Sequence, residues 1–396
     1  MPDPRLAVVV THGITARYLL RGQLRFLRGQ GFDVTLIGAP GPDLAAAAAA
    51  EGVPAVAVPM AREIALARDL AALARLIAIL RRLRPYVLTA GTPKAGLLGM
   101  VAARLCRVPI RVYVLRGLRL ETSRGARRRL LAAAERTASA CATRVVCVSE
   151  SLRRRFLSLG LAPREKTAVV GNGSSNGVDI ERFRPRESTG GAVTEEVRSL
   201  RRELGLPEGV PVIGFVGRFT RDKGITDLLD AFDGPVSARF PHARLLLIGD
   251  FEEGDPVPPA VRTRLTSHPR LVRAGFATDT APYYALLDVL AFPSYREGFP
   301  NAPLEAAASA VPVVGYAATG TVDAVVDGET GTLVPVGDVD AFGTALGRYL
   351  GDPELARLRG EAGRVRAERL FRRERVWAAW EAELRRLLAE RGLPDG

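Results

Sequence analysis

The stretch VLAFPSYREGFPNAPLEAAASAVPVVGY, residues 289–316, carries the reading of the fold. It opens and closes with short β-branched and aromatic runs, and between them lie a Gly/Pro/Asn loop and an alanine-rich segment with helical spacing. Two continuous apolar runs joined through a helix form a βαβ unit, whose strands lie parallel and are covered on both faces. The loop also holds Glu297, and Glu305 falls about one turn into the helix. Either glutamate alone fits a capped helix after a strand as well as it fits a reactive site.

The same grammar extends in both directions. Upstream, apolar runs at 6–10, 33–38, 54–59, 86–90, 110–115 and 144–149 alternate with amphipathic segments such as ARDLAALARLIAILRRL (67–83). A Gly/Ser/Asn-rich stretch, 171–196, interrupts the alternation and reads as a linker. A second series follows at 212–217, 244–249, 271–275, 289–294, 311–316 and 331–336, and the chain ends in a helical pattern. The expected fold class is α/β, with two Rossmann-like domains facing across a cleft, where ligands gather at the C-terminal ends of the strands.

Composition narrows the class. With 396 residues, 47% hydrophobic and 25% charged, the chain buries full cores and is not of the disordered type. It contains no apolar run long enough to span a bilayer. The start, MPDPRLAVVVTHG, runs directly into a strand pattern, so no secretory signal is expected. Three cysteines without metal-ligand spacing fit a reduced, cytoplasmic chain.

The net charge of +13 is concentrated in residues 1–180, which hold 28 Lys+Arg against 11 Asp+Glu. Such a field suits an anionic membrane surface or an anionic substrate. Nucleic acid fits less well, because aromatics are only 6% and no base-stacking platform is evident. Segments 124–136 and 151–161 set arginines beside leucines at helical spacing, either as ordinary solvated faces or as shallow lipid-docking faces. The chain has only three lysines, Lys94, Lys166 and Lys223, in an arginine-rich background.

Two local motifs carry chemistry. GFVGRFTRDKGITDLLDAF (214–232) places Arg218 and Lys223 on a loop between a strand and a helix start. A guanidinium fork, a movable ammonium and the free N–H groups of a helix start suit a diphosphate, although an isolated motif of this kind also fits a solvated basic turn. In the opening stretch, Gly298 and Asn301 precede a second helix start, and Glu305 is placed to accept hydrogen bonds from sugar hydroxyls. Two such anion sites in one domain, together with the paired glutamates, favour function over capping.

GRFTRDKG, REGFPNAPLEA and GETGTLVPVGD resemble, in order and spacing, the donor-binding domain of the family-4 retaining glycosyltransferases of the GT-B fold. TPKAGLLGMVAARL, RVYVLRGL and GNGSSNGVDIERFRP resemble the bacterial exopolysaccharide and capsule branch of that family. The resemblance implies an acceptor-binding domain over 1–180 and a nucleotide-sugar domain over 181–371, with a terminal helix (about 372–396) packing back on the first. It implies that Arg218 and Lys223 hold the donor diphosphate, that Glu305 binds the ribose, and that Glu297 lies near the reacting face of the sugar, as nucleophile or as electrostatic partner. Backbone groups of Gly298, Phe299, Pro300 and Asn301 would contact sugar and diphosphate, Ala277 would line the base, and Gly13-Ile14 would close over the phosphates.

One departure stands out. Relatives carry a histidine after the strand matching IRVYVL, whereas this chain reads Leu115-Arg116-Gly117. Arg116 takes either a sugar or acceptor-phosphate role or a structural salt bridge. His12 is either an acceptor or donor contact or a half-buried polar residue, and Lys94 either an acceptor-phosphate contact or a solvated turn. The resemblance implies no cofactor and no metal, and Asp338–Asp340 reads as a helix cap rather than a ligand pair. The expected reaction takes a sugar from a nucleotide donor, UDP-linked by expectation, to a lipid-linked polyprenyl-diphosphate saccharide, with the enzyme cytoplasmic or peripheral on the inner membrane face. A soluble small-molecule acceptor, sugar-nucleotide epimerisation and non-catalytic sensing are the alternatives.

Overall fold

The computed structural model describes residues 3–61, 65–185, 195–252 and 254–393. They form two units, Met1–Asn176 with Arg373–Gly396, and Gly177–Arg372.

The first unit is built on a seven-stranded parallel sheet. Its strands are β1 (Arg5–Val9), β2 (Asp33–Gly38), β3 (Ala55–Ala57), β4 (Val87–Ala90), β5 (Ile110–Leu115), β6 (Arg144–Cys147) and β7 (Thr167–Val169). The spatial order is β3-β2-β1-β4-β5-β6-β7, so the winding reverses between β1 and β4. Leu6, Val9, Leu36, Ile37, Val112 and Val145 are almost wholly buried, each worth about 1.5–3 kcal/mol of transfer free energy. That burial on both faces is why the strands read as continuous apolar runs.

The terminal helix Arg373–Ala389 completes this unit. Trp377, Leu384, Leu387 and Leu388 are its buried side. The Trp377 ring lies 5.6 Å from that of Phe26, and its Nε1 donates to Asn176 Oδ1 at 2.6 Å. Arg144 of β6 pairs with Glu383 at 3.1 Å.

The second unit repeats the plan with six parallel strands. These are β8 (Val212–Val216), β9 (Arg244–Ile248), β10 (Leu271–Gly275), β11 (Val289–Phe292), β12 (Val313–Tyr316) and β13 (Gly331–Val334). The order β10-β9-β8-β11-β12-β13 reverses between β8 and β11. Phe215, Phe219, Phe232, Tyr316 and Phe342 fill its core. The opening βαβ stretch is realised as β11, helix Asn301–Ala308 and β12, with β11 and β12 in parallel register from Leu290↔Val313.

All twelve strands expected from the sequence form, each within two residues of its expected ends, and β7 is the addition. The boundary between the two units, Asn176/Gly177, falls inside the stretch read as a linker, and the described part of that stretch is held to the unit on each side. Asn176 accepts from Trp377, Val178 bridges to Arg372, and Phe183 is buried against Tyr284, so residues 171–185 are anchored. Residues 186–194 of that stretch lie outside the described residues.

Candidate active site

In a doubly wound sheet the winding reversal leaves the C-terminal ends of two neighbouring strands without a crossover above them, and ligands collect there. In the second unit those strands are β8 and β11. The loop after β8 carries Arg218 and Lys223, and the loop after β11 carries Glu297 to Pro300. The fold therefore brings the two local motifs to one place from about 70 residues apart.

Lys223 and Glu297 meet directly. The Lys223 ammonium pairs with Glu297 Oε1, with the side chains 17% and 13% exposed, and the Ser294 hydroxyl donates to the same oxygen at 2.7 Å. The Glu297 backbone N–H is tied to Thr319 O at 3.0 Å. Gly320 permits this approach. At φ +79° it lies in the left-handed region, and a Cβ there would stand 2.5 Å from the Gly298 carbonyl oxygen. The glutamate is thus fixed by its backbone as well as by its charge.

A second network braces the β8 loop. Asp222 accepts from the Arg296 guanidinium at 2.6 Å and from Thr220 Oγ1 at 2.6 Å. Burial alone would push the Asp222 carboxyl up, but Arg296, the Thr220 hydrogen bond, Lys223 and Arg218 together hold it below the usual carboxylate range. Arg218 is half exposed and pairs with Glu252, which follows β9. Sequence reading missed Asp222, Arg296, Ser294 and Glu252. Asp222 lies inside the quoted TRDKG motif, but nothing local announces its partner 74 residues on.

Glu305 is interior. Tyr284 donates to its Oε2 at 2.9 Å and the Thr280 hydroxyl at 3.3 Å. Burial pushes its pKa up, against the opposing effect of these two hydrogen bonds and of Arg182. Helix Asn301–Ala308 begins without a side-chain cap, and Asn301 Oδ1 is buried with no hydrogen-bond partner among the described residues. Both features leave polar groups available to a ligand. Phe299 packs its ring 5.0 Å from Phe371, which leaves its backbone as the contacting group, and Ala277 lies half-buried on the loop after β10. Asp338 caps helix Val339–Gly351 by accepting from Ala341 N at 2.9 Å.

In the first unit the corresponding strand ends are those of β1 and β4. Thr11 and Thr92 lock them together, with hydroxyls 2.5 Å apart. His12, Gly13 and Ile14 follow β1; a Cβ on Gly13 would overlap the Asp43–Leu44 backbone, and Ile14 is 47% exposed. Lys94 sits in a largely buried pair with Asp69 at 2.7 Å, with the two side chains 11% and 17% exposed. Arg116, just beyond β5, forms no salt bridge or hydrogen bond among the described residues.

Two doubly wound parallel units, each presenting polar residues at its winding reversal, are the architecture of the GT-B fold. Solved structures agree: HepE from Anabaena, crystallised with UDP-glucose, shares the fold at a TM-score of 0.79 over 96% of this chain and 99% of its own, with 21% identity. The family of group 1 glycosyl transferases matches residues 210–352, and the glycosyl transferase 4-like domain matches 13–173. The capsular polysaccharide biosynthesis glycosyltransferase CapM of Staphylococcus aureus is 36% identical over 372 residues, 94% of each chain. An Escherichia coli enzyme, UDP-Gal:alpha-D-GlcNAc-diphosphoundecaprenol alpha-1,3-galactosyltransferase, is 27% identical over 75% of this chain and 74% of its own. The chain belongs to the group 1 glycosyltransferase family.

Proposed function

We propose that this glycosyltransferase moves a sugar from a UDP-sugar to a polyprenyl-diphosphate-linked saccharide in capsule or exopolysaccharide synthesis, with retention at the anomeric carbon and without a metal. The observation that carries the reading is the Lys223–Glu297 pair at the β8/β11 reversal. The likeness to CapM over 94% of the chain supports the pathway, and the Escherichia coli relative supports the lipid-linked acceptor.

Arg218 and Lys223 hold the donor diphosphate and stabilise the charge that grows as the sugar–oxygen bond breaks, in place of a metal ion. Glu305 and Asn301 take ribose and sugar hydroxyls, the backbone from Gly298 to Pro300 contacts sugar and diphosphate, and Ala277 lines the base. The acceptor hydroxyl attacks the anomeric carbon from the face the diphosphate leaves, and its proton passes to a diphosphate oxygen. Glu297 serves as the electrostatic partner of the cationic sugar, because its Oε1 is already engaged by Lys223 and Ser294. Gly13 and Ile14 close over the phosphates, while His12, Lys94 and Arg116 belong to the acceptor side.

Among the described residues no helix is long and apolar enough to cross a membrane. Helices Leu66–Leu83 and Gly125–Cys141 expose Leu66, Leu70 and Leu130 beside arginines, a face suited to peripheral docking on the anionic inner leaflet. The test is transfer from UDP-, GDP- and TDP-hexoses to a synthetic polyprenyl-diphosphate sugar in EDTA, with the anomeric configuration read by NMR. Retained product from a UDP-sugar is expected. Inverted product, or transfer only after a divalent metal is restored, overturns the mechanism.

A further inference from the structure

Arg116 lies at the C-terminal end of β5, and its Nε is sealed from solvent without a hydrogen-bond partner. Burial pushes its pKa down to about 10, with no neighbouring acid opposing the shift. A buried cation that lacks a partner is costly, and buried polar groups are otherwise satisfied.

Arg116 is not alone. Two small adjoining cavities of the first unit share Gln23, Val114, Arg116 and Trp380 as walls; one adds Thr89 and the other Ser175. Gln23, Thr89 and Ser175 are buried. One cationic and three neutral polar side chains therefore line these two adjoining cavities inside an apolar sheet face. Gly91 makes the arrangement possible, because any Cβ there would occupy the position of the Arg116 guanidinium.

We propose that these cavities are a phosphoryl-binding subsite of the first unit, in which the Arg116 fork takes two oxygens and Gln23, Thr89 and Ser175 complete the cradle. The chemistry fits a guanidinium that has no carboxylate and three neutral neighbours able to donate to oxyanions. The proposal rests on the glycosyltransferase reading only for the source of the phosphoryl group, which is either the donor's diphosphate or the lipid acceptor's.

The probe is inorganic pyrophosphate, read by thermal shift on the full chain. An Arg218→Ala/Lys223→Ala background removes the diphosphate cations of the second unit. In that background pyrophosphate still raises Tm, and adding Arg116→Met weakens its apparent affinity about 10- to 100-fold. Arg116→Lys, which keeps the charge and loses the fork, falls between. Without ligand, Arg116→Met raises Tm, because a buried charge is exchanged for an apolar side chain of similar length. A lower Tm or failure to fold marks Arg116 as structural and overturns the proposal, as does a pyrophosphate response that survives Arg116→Met or is absent before it.

Kinetics then separate the sources. A higher KM for the lipid acceptor with donor hydrolysis unchanged assigns the phosphoryl group to the acceptor. A higher KM for the nucleotide sugar with slower donor hydrolysis assigns it to the donor, and no change in either KM refutes the site. Because the pyrophosphate assay needs neither substrate, it stands if the chain proves to transfer no sugar.

Discussion

Replacing Lys223 by Met tests the centre of the second unit's site. Lys223 and Glu297 are 17% and 13% exposed, so both charges are largely out of water. The variant leaves the Glu297 carboxylate with Ser294 as its remaining side-chain partner. Removing one member of a fully buried pair costs about 3–5 kcal/mol, and the residual exposure and the Ser294 hydrogen bond reduce this to about 2 kcal/mol. For a domain of this size that lowers Tm by about 4–8 °C. Glu297→Gln keeps an acceptor for Ser294 and costs about 1 kcal/mol. The double variant also costs about 1 kcal/mol, because no charge is stranded, which makes the coupling about 2 kcal/mol. Urea and thermal unfolding of the four proteins give the cycle. If the single costs add to the double cost within about 0.5 kcal/mol, the groups are not paired and the reasoning fails.

Two further outcomes are expected. Glu135 is buried against Tyr113, whose hydroxyl donates to it at 2.8 Å, and burial raises its pKa from 4.5 to about 7. A raised carboxylate pKa means the folded state holds a proton that the unfolded state has released. The folded state therefore loses up to about 3 kcal/mol as pH rises from 4.5 to 7 and no more above it. Glu135→Gln removes that slope, and denaturation midpoints of variant and wild type that run parallel from pH 4 to 8 would count against it. Gly320→Ala forces a side chain into a left-handed position against the Gly298 carbonyl, so a loss of about 2 kcal/mol or more is expected, with weaker donor binding. Unchanged urea midpoints and donor KM would show that the Glu297 loop tolerates the displacement.

Much of the fold is legible because parallel strands buried on both faces leave continuous apolar runs. Their ends are less legible. VLAFPS stops at Phe292 because Pro293 cannot donate to the ladder, and RVVCVS stops at Cys147 because Ser149 turns to cap the next helix, accepting from Leu152 N. β7 escaped notice because three residues at a sheet edge, after a charged turn, give too little pattern. The motif residues of the site could be named because each is local to a strand–loop–helix. Their partners could not: Glu252 for Arg218, Arg296 for Asp222, Tyr284 for Glu305 and Asp69 for Lys94 come from other loops and helices. Only the folded chain sets them opposite one another. That Arg116 stands where relatives have a histidine is legible in the motif, but its burial without a carboxylate is not, because the walls around it come from distant parts of the chain.

The return of helix Arg373–Ala389 to the first unit governs the order in which the two units can be completed during synthesis. The second unit is a contiguous insertion whose ends adjoin, with Val178 bridged to Arg372. It closes on itself as it leaves the ribosome. The first unit cannot, because the surface that receives Trp377 and Leu384 is translated first and its cover last. At about 5–20 residues per second, the roughly 200 intervening residues keep that apolar surface open for about 10–40 s. The nascent chain thus exposes a hydrophobic face longest on its own first-made half, the stage at which a chaperone has most to offer.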